Sequence, residues 1–168
     1  RMPVPQRRLS DLIKIIDDVI HLETSRNSSI AKVLFEKPEP ILLMIDPAMI
    51  TQSLTNLIKN AGEAIETFIN KNDIGDYQPI INVCVSNSEL ETIITISDNG
   101  IGLPKDRTRL FEPYMTTREK GTGLGLPIVK KIIEEHSGEF YLEDAPIFEK
   151  NNHTGTSAII KFFKSELK

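Results

Sequence analysis

Apolar positions along the chain follow two periods and leave one stretch with none. In "RRLSDLIKIIDDVIHLE", residues 7–23, Leu9, Leu12, Ile13, Ile16, Val19 and Ile20 fall three or four apart, which predicts an amphipathic helix packed by that face. A polar loop, "TSRNSS", follows, and "KVLFE" and "ILLMID" read as two short strands joined by a proline-rich turn at "KPEP". The strongest helical signal is "DPAMITQSLTNLIKNAGEAIETFI". Asp46 is its N-cap, Pro47 its first residue, and Ile50, Leu54, Leu57, Ile58, Ala61, Ile65 and Phe68 keep helical register. Beyond the loop "NKNDIGDYQP" the period drops to two, so "IINVCVSN" and "LETIITISD" predict paired strands with one buried face. From Asn99 to Thr122 no period persists, and so long an irregular segment in a compact domain points to a functional loop. Helical spacing returns in "GLPIVKKIIEEH", with Gly138 as the C′ residue, and "EFYLE" and "TSAIIKFF" predict closing strands around a polar excursion, "EKNNHTG". With no repeat or linker, this order predicts one domain over 1–168, a mixed sheet with helices packed on it.

Composition sets limits without changing that picture. A chain of 168 residues, 39% hydrophobic and 26% charged, is sufficient for one domain with a core. The formal charge of −4 gives no electrostatic case for nucleic acid or an anionic membrane, so any anionic ligand must be held by local features. Cys84 is the only cysteine, which excludes an internal disulfide, suits a reducing compartment and, within the run "IINVCV", predicts a buried structural thiol. No apolar run approaches the ~18 residues of a membrane span, and no signal segment opens the chain. The opening "RMPVPQ", without an initiator methionine, suggests a piece of a longer polypeptide. His21, His136 and His153 share no ligand spacing, and the dipole at a helix C-terminus accounts for His136.

Three clusters carry candidate chemistry. Asn56, Asn60 and Glu63 stand at i, i+4 and i+7 on one face of the long helix, where asparagine is a poor interior residue. Spacing alone leaves open a solvated polar stripe or a Mg²⁺ site, since that hard cation takes oxygen ligands from a few protein groups, water and phosphates. In "SDNGIGLP", Asp98 ends a strand and Gly100 and Gly102 free the chain to turn. This is either an ordinary Asp-Asn-Gly turn or a carboxylate placed to accept a hydrogen bond from a ligand amine. "GTGLGL" before a helix offers free N–H groups and a positive dipole end, which suit phosphates, with Arg118 and Lys120 just upstream. It is neither the dinucleotide fingerprint nor a P-loop, and the protein-kinase motifs are absent.

The order of the motifs is more specific than any one of them: "NLIKNAGEAI", "DNGIGLP", "LFEPYMTT", "GTGLGL" and "GTSAIIKF". Together they resemble the N, G1, F, G2 and terminal G boxes of the ATP-binding catalytic domain of bacterial two-component sensor histidine kinases, whose fold is shared with gyrase B, Hsp90 chaperones and MutL. The wording of "RMPVPQRRLSDLI" and "MTTREKGTGLGLPIV" is most similar to nitrogen-regulation kinases of the NtrY type. The resemblance implies an α+β fold of the Bergerat type, a two-layer α/β sandwich with a mixed sheet behind one layer of helices. It implies ATP and Mg²⁺ as cofactors, with Asn60 ligating the metal and Asn56 supporting the phosphate end. Asp98 would accept the adenine amine, beside Gly100 and Gly102, and Thr156 would meet adenine through water. Residues 99–122 would form a lid, from which Thr117, Lys120, Gly121, Thr122, Gly123 and Leu124, continuing into Gly125 and Leu126, would hinge and cradle the phosphates. Phe111 would anchor that lid and meet the partner domain.

One position separates this chain from the ATP-hydrolysing members of that superfamily, which carry a water-activating glutamate where Asn56 stands. An amide cannot take that proton, which implies a site that holds ATP for a better nucleophile. The nucleophile itself, a histidine in an H-box on a dimeric helical hairpin, has no match among the three histidines, and 1–30 would be the segment following that missing hairpin. The implied partners are therefore the hairpin and a cognate response regulator, with neither nucleic acid nor direct membrane contact. The domain would be cytoplasmic and its parent bound to the inner membrane. A clamp ATPase of the gyrase type and a non-catalytic nucleotide-dependent module are the competing classes; Asn56 counts against the first, and intact Asn60, Asp98 and loop glycines against the second.

Overall fold

A computed structural model of the chain describes residues 3–26, 31–112, 125–148 and 152–167. Among them the order is β1 (Arg8–Asp11), α1 (Leu12–Arg26), β2 (Lys32–Phe35), β3 (Leu42–Ile45), α2 (Pro47–Lys71), β4 (Ile80–Asn87), β5 (Glu91–Asp98), α3 (Gly125–Glu135), β6 (Glu139–Asp144) and β7 (Thr156–Phe163), closed by a 3-10 turn at Lys164–Glu166. Strands β2, β4, β5, β7 and β6, in that spatial order, form a five-stranded sheet. It is mixed, as expected: β2 runs parallel to β4 and every other pair is antiparallel. Helices α2 and α3 pack on its inner face and α1 lies along α2, which makes the α/β sandwich.

Alternation along the strands decides what faces the helices. Ile94 and Ile96 of β5 are buried opposite Ile160 and Ala158 of β7, and the same period carries Asp98 to the helix-facing side at the strand end. Helix α2 begins where Asp46, in extended backbone, accepts hydrogen bonds from the N–H groups of Ala48 and Met49 at 3.0 and 3.1 Å, with Pro47 first in the helix. Its buried stripe of Ile50, Leu54, Leu57, Ile58, Ala61 and Ile65 seats it on the sheet. Each large apolar side chain buried this way contributes roughly 1.5–3 kcal/mol, which outweighs the poor helix propensity of Asn56, Asn60 and Gly62.

Four expectations need correction. The first helix does not reach back to Leu9: residues 8–11 pair antiparallel with β3, and Asp11 caps α1 by accepting from Ile13 N at 3.0 Å. Leu9, on the outer side of that two-stranded pair, is 64% exposed. Strands β2 and β3 flank the proline turn as expected and enter different sheets, β2 beside β4 in the main sheet and β3 beside β1. Cys84 is exposed, since Ile81 and Val83 take the inner face and the alternate positions of β4 point away from the helices. The positive-φ residue ending α3 is Ser137 (φ 56), with Gly138 N donating to Ile133 O at 2.9 Å one position later. Gly138 is needed for space, because a Cβ there would stand 2.5 Å from Lys161 O.

His136 is the fourth. Its side chain is completely buried, Nε2 accepts the N–H of Asp46 at 3.0 Å and Nδ1 donates to Ile132 O at 2.9 Å. A ring that accepts at one nitrogen and donates at the other is neutral, so a charge on the helix dipole is not what places it there. Burial pushes its pKa below the ordinary value and Arg7 adds to this, against the bond to Ile132 and the charges of Asp46 and Glu135. The result is a joint between the C-terminus of α3 and the N-cap of α2. The N-terminal segment crosses the same joint: Gln6 N donates to Asp46 Oδ2 at 2.8 Å and Arg7 donates to Glu135 O at 3.1 Å.

Candidate functional site

A cavity of about 300 Å³ opens between α2, the end of β5, the segment after it and the start of α3. Its wall is mostly apolar, with Leu57 and Ala61 of α2, Ile96 of β5 and Ala158 of β7 forming the base. Asn60, Asp98, Thr156, Asp106 and Arg109 bring polar atoms to it. An apolar pocket with a few placed polar groups is the ordinary form of a small-molecule site.

Asp98 is held from behind. It is 5% exposed, and its Oδ1 accepts the N–H of Gly100 at 2.8 Å, which orients the carboxyl. The turn that makes this possible is packed against α2 so closely that a Cβ on Gly100 would stand 2.4 Å from Ala64 C, and Ile101 N donates to Ala64 O at 3.0 Å. On the opposite side, a Cβ on Gly155 would come 1.9 Å from Asp98 O. Gly102 takes φ +82, a conformation that glycine adopts without strain, and so turns the chain along the cavity wall.

Asn60 lies on α2 next to the first turn of α3: both its amide atoms are 3.7 Å from where a Cβ on Gly125 would be. The amide therefore borders the positive end of the α3 dipole. Phe111, within the irregular segment, packs edge-on against Phe140 of β6 at 5.7 Å, with Lys130 of α3 over its ring at 4.8 Å. Arg109 donates to Glu112 at 2.7 Å beside the cavity. At exposed Asp106, the hydroxyl and the N–H of Thr108 hold the carboxyl below its usual range.

The structure thus brings Asn60, Asp98, Gly102, Leu126 and Thr156 to one cavity, with Gly125 beside Asn60 and Gly100 behind Asp98. Asn56 is half-buried one turn before Asn60 and is not part of the described wall. Thr117, Lys120, Gly121, Thr122, Gly123 and Leu124 lie outside the described residues, as does the part of the expected lid beyond residue 112. Sequence reasoning missed Leu57, Ala61, Leu142, Asp106 and Arg109 as wall residues, although Leu57 and Ala61 follow from the helical spacing with Asn60. It also missed Tyr77 and His153, which pack behind the Asp98 turn.

Residues 45–166 match the family of histidine kinase-, DNA gyrase B- and HSP90-like ATPases, and the chain belongs to that family. It is an ATP-binding domain of this class. Over 149 residues it is 44% identical to the nitrogen regulation protein NtrY of Azorhizobium caulinodans, an alignment covering 87% of this chain and 18% of that protein. Over 170 residues it is 35% identical to an NtrY-like sensor histidine kinase of Rickettsia bellii, covering 100% of this chain and 25% of that one. The chain thus spans about a fifth to a quarter of these relatives' length. The nucleotide-free catalytic domain of the histidine kinase ThkA superposes with a TM-score of 0.72 at 26% identity, covering 95% of this chain and 96% of that one. ThkA in complex with the response regulator protein TrrA superposes with a TM-score of 0.71 at 22% identity, covering 96% of this chain and 43% of that one.

Proposed function

We propose that the chain is the ATP-binding catalytic domain of a sensor histidine kinase, donating the γ-phosphoryl group of ATP to a histidine on a separate dimerisation hairpin. The observation that carries the reading is the buried Asp98 carboxylate at the inner end of β5, facing the same cavity as Asn60. Asp98 accepts the exocyclic amine of adenine, the apolar wall takes the base, and Thr156 lies close enough for a water-mediated contact. The triphosphate then runs toward Asn60 and the N-terminus of α3, where dipole and free N–H groups suit anionic oxygens.

The residues present fit Mg²⁺. Among the described residues no group of three His, Cys, Asp or Glu could hold a metal, and the Asn60 amide at the cavity offers a hard oxygen of the kind that Mg²⁺ takes together with a ligand's own oxygens. Bound there, Mg²⁺ would neutralise phosphate charge. Asn60 presents its oxygen at a fixed place on α2, and Asn56, one turn earlier, supports the phosphate end without being able to accept a proton from water. The domain accordingly holds ATP without hydrolysing it efficiently.

The whole of 1–168 forms this catalytic unit, with 99–122 as the lid and Phe111 contributing to the docking of the hairpin. A cognate response regulator receives the phosphoryl group, and the domain works on the cytoplasmic side of an inner-membrane parent; likeness to NtrY and to an NtrY-like sensor histidine kinase supports the kinase part of this reading. Among the described residues no helix is long and apolar enough to cross a membrane. The test mixes the chain with a cognate hairpin and radiolabelled ATP. Acid-labile label on the hairpin is expected; acid-stable label, or brisk phosphate release by the chain alone, overturns the assignment.

A further inference from the structure

We propose that Tyr77, Asn99 and His153 form a clamp behind the cavity that fixes the turn after Asp98 and thereby sets how strongly the domain prefers adenine over guanine. The proposal rests on Asp98 as the adenine acceptor. Asn99 is 2% exposed and tied through every polar group of its side chain: Nδ2 donates to Gln78 O at 2.7 Å, while Oδ1 accepts from Ile80 N at 2.9 Å and from the Tyr77 hydroxyl at 3.1 Å. Its main-chain carbonyl accepts from the same Tyr77 hydroxyl at 2.8 Å and from His153 Nε2 at 3.0 Å. His153 Nε2 also lies 3.1 Å from Gly100 O. Both partners of that nitrogen are acceptors only, which makes it the protonated one.

The rings doing this are themselves braced. His153 stacks on Phe68 of α2 with centroids 4.1 Å apart and planes 14° from parallel, and Tyr77 leans on the same Phe68 at 4.7 Å. Burial, with the charge of Asp98 adding to it, pushes the Tyr77 phenol well above its ordinary pKa and keeps it a donor. Three separate parts of the chain therefore converge on the two peptide units that follow Asp98: helix α2, the segment before β4 and the segment before β7. Only one bond separates them from the ligand-facing carboxyl, since Gly100 N donates to Asp98 Oδ1.

The chemistry of selection makes that placement matter. A carboxylate set at hydrogen-bond distance gains an adenine amine but sets its oxygen against a guanine carbonyl oxygen, two acceptors with no proton between them. Loosening the turn weakens the first and relieves the second. Neither Tyr77 nor His153 lines the cavity, so both are positioning residues.

Calorimetry of ATP and GTP binding to the wild-type chain, Tyr77→Phe, His153→Ala, His153→Gln and Asp98→Asn, each confirmed folded by its melting transition, tests this. Wild type prefers ATP, and Asp98→Asn abolishes the preference. In Tyr77→Phe and His153→Ala the ATP-to-GTP ratio falls about three- to tenfold, the worth of one lost hydrogen bond, through weaker ATP binding and GTP binding that does not fall. His153→Gln, whose amide still donates, recovers part of it. Tyr77→Phe removes only a hydroxyl and carries the test should His153→Ala fail to fold. A wild-type preference that survives Tyr77→Phe and His153→Ala, or an equal loss for both nucleotides, overturns the clamp while leaving Asp98 in its role. Equal wild-type affinity for ATP and GTP overturns the Asp98 reading and the clamp with it.

Discussion

The His136 joint makes a prediction that needs no knowledge of the ligand. His136→Phe keeps a flat ring in a fully buried position but removes the acceptor for Asp46 N and the donor to Ile132 O. Ile132 O still receives His136 N at 3.2 Å, so the main loss is the buried Asp46 N–H, left without its ring acceptor. Such a group costs about 1–3 kcal/mol, and a domain of this size loses roughly 2–4 °C in Tm per kcal/mol, so a fall of several degrees is expected at pH 8. The pH dependence is more diagnostic. Because burial holds the folded-state pKa of His136 below its ordinary value, the unfolded chain binds the extra proton first. The stability from neutral His136 is therefore complete above about pH 6.5 and is lost as pH falls from there through the lowered folded value. Its slope is at most about 1.4 kcal/mol per pH unit for one proton. Urea unfolding of wild type and His136→Phe from pH 8 to pH 5 should give curves that converge as pH falls, subtraction removing whatever His21 and His153 contribute. Parallel curves would refute the reasoning, because they would mean that the ring gains a proton in the fold as easily as outside it.

Three further outcomes are expected. Asn60→Ala should weaken Mg²⁺-ATP binding far more than adenosine binding, read by calorimetry with and without the metal, and unchanged Mg²⁺-ATP affinity would contradict the ligand assignment. Gly155→Ala should lower stability by about 1–3 kcal/mol or more through overpacking, since its Cβ meets Asp98 O at 1.9 Å; a melting temperature equal to wild type would show that the loop yields freely. Asp46→Ala should cost about 0.5–2 kcal/mol as a lost N-cap. Burial raises the pKa of Asp46, but the bonds from Gln6, Met49 and Ala48 outweigh it and the net shift is downward. The deficit of Asp46→Ala should thus be full above about pH 3.9 and close as acid protonates wild type below that, which acid titration of both proteins would check.

The local pattern of the chain was enough for the elements that carry their own period or punctuation. Helix α2 begins at Asp46 and Pro47 because an N-cap and a fixed φ are properties of two adjacent residues, and β4 and β7 occupy the residues their alternation marks. Asn60, Asp98 and Thr156 were legible as chemistry because the order of their motifs survives without coordinates. Partnership was not legible. Residues 8–11 carry apolar spacing compatible with a helix, and only the presence of β3 alongside draws them into a strand; β2 finds β4, about fifty residues on, instead of its neighbour. Alternation places Ile81 and Val83 on one face of β4 and Cys84 on the other, but which face is covered depends on where the helices pack. Nor does sequence spacing bring His153 to the carbonyls of Asn99 and Gly100, or His136 to Asp46 ninety residues away. Local propensities act over a few residues and are written in the chain; burial and hydrogen-bond partnership are settled between distant segments, and exist only once the sheet and helices have closed on one another.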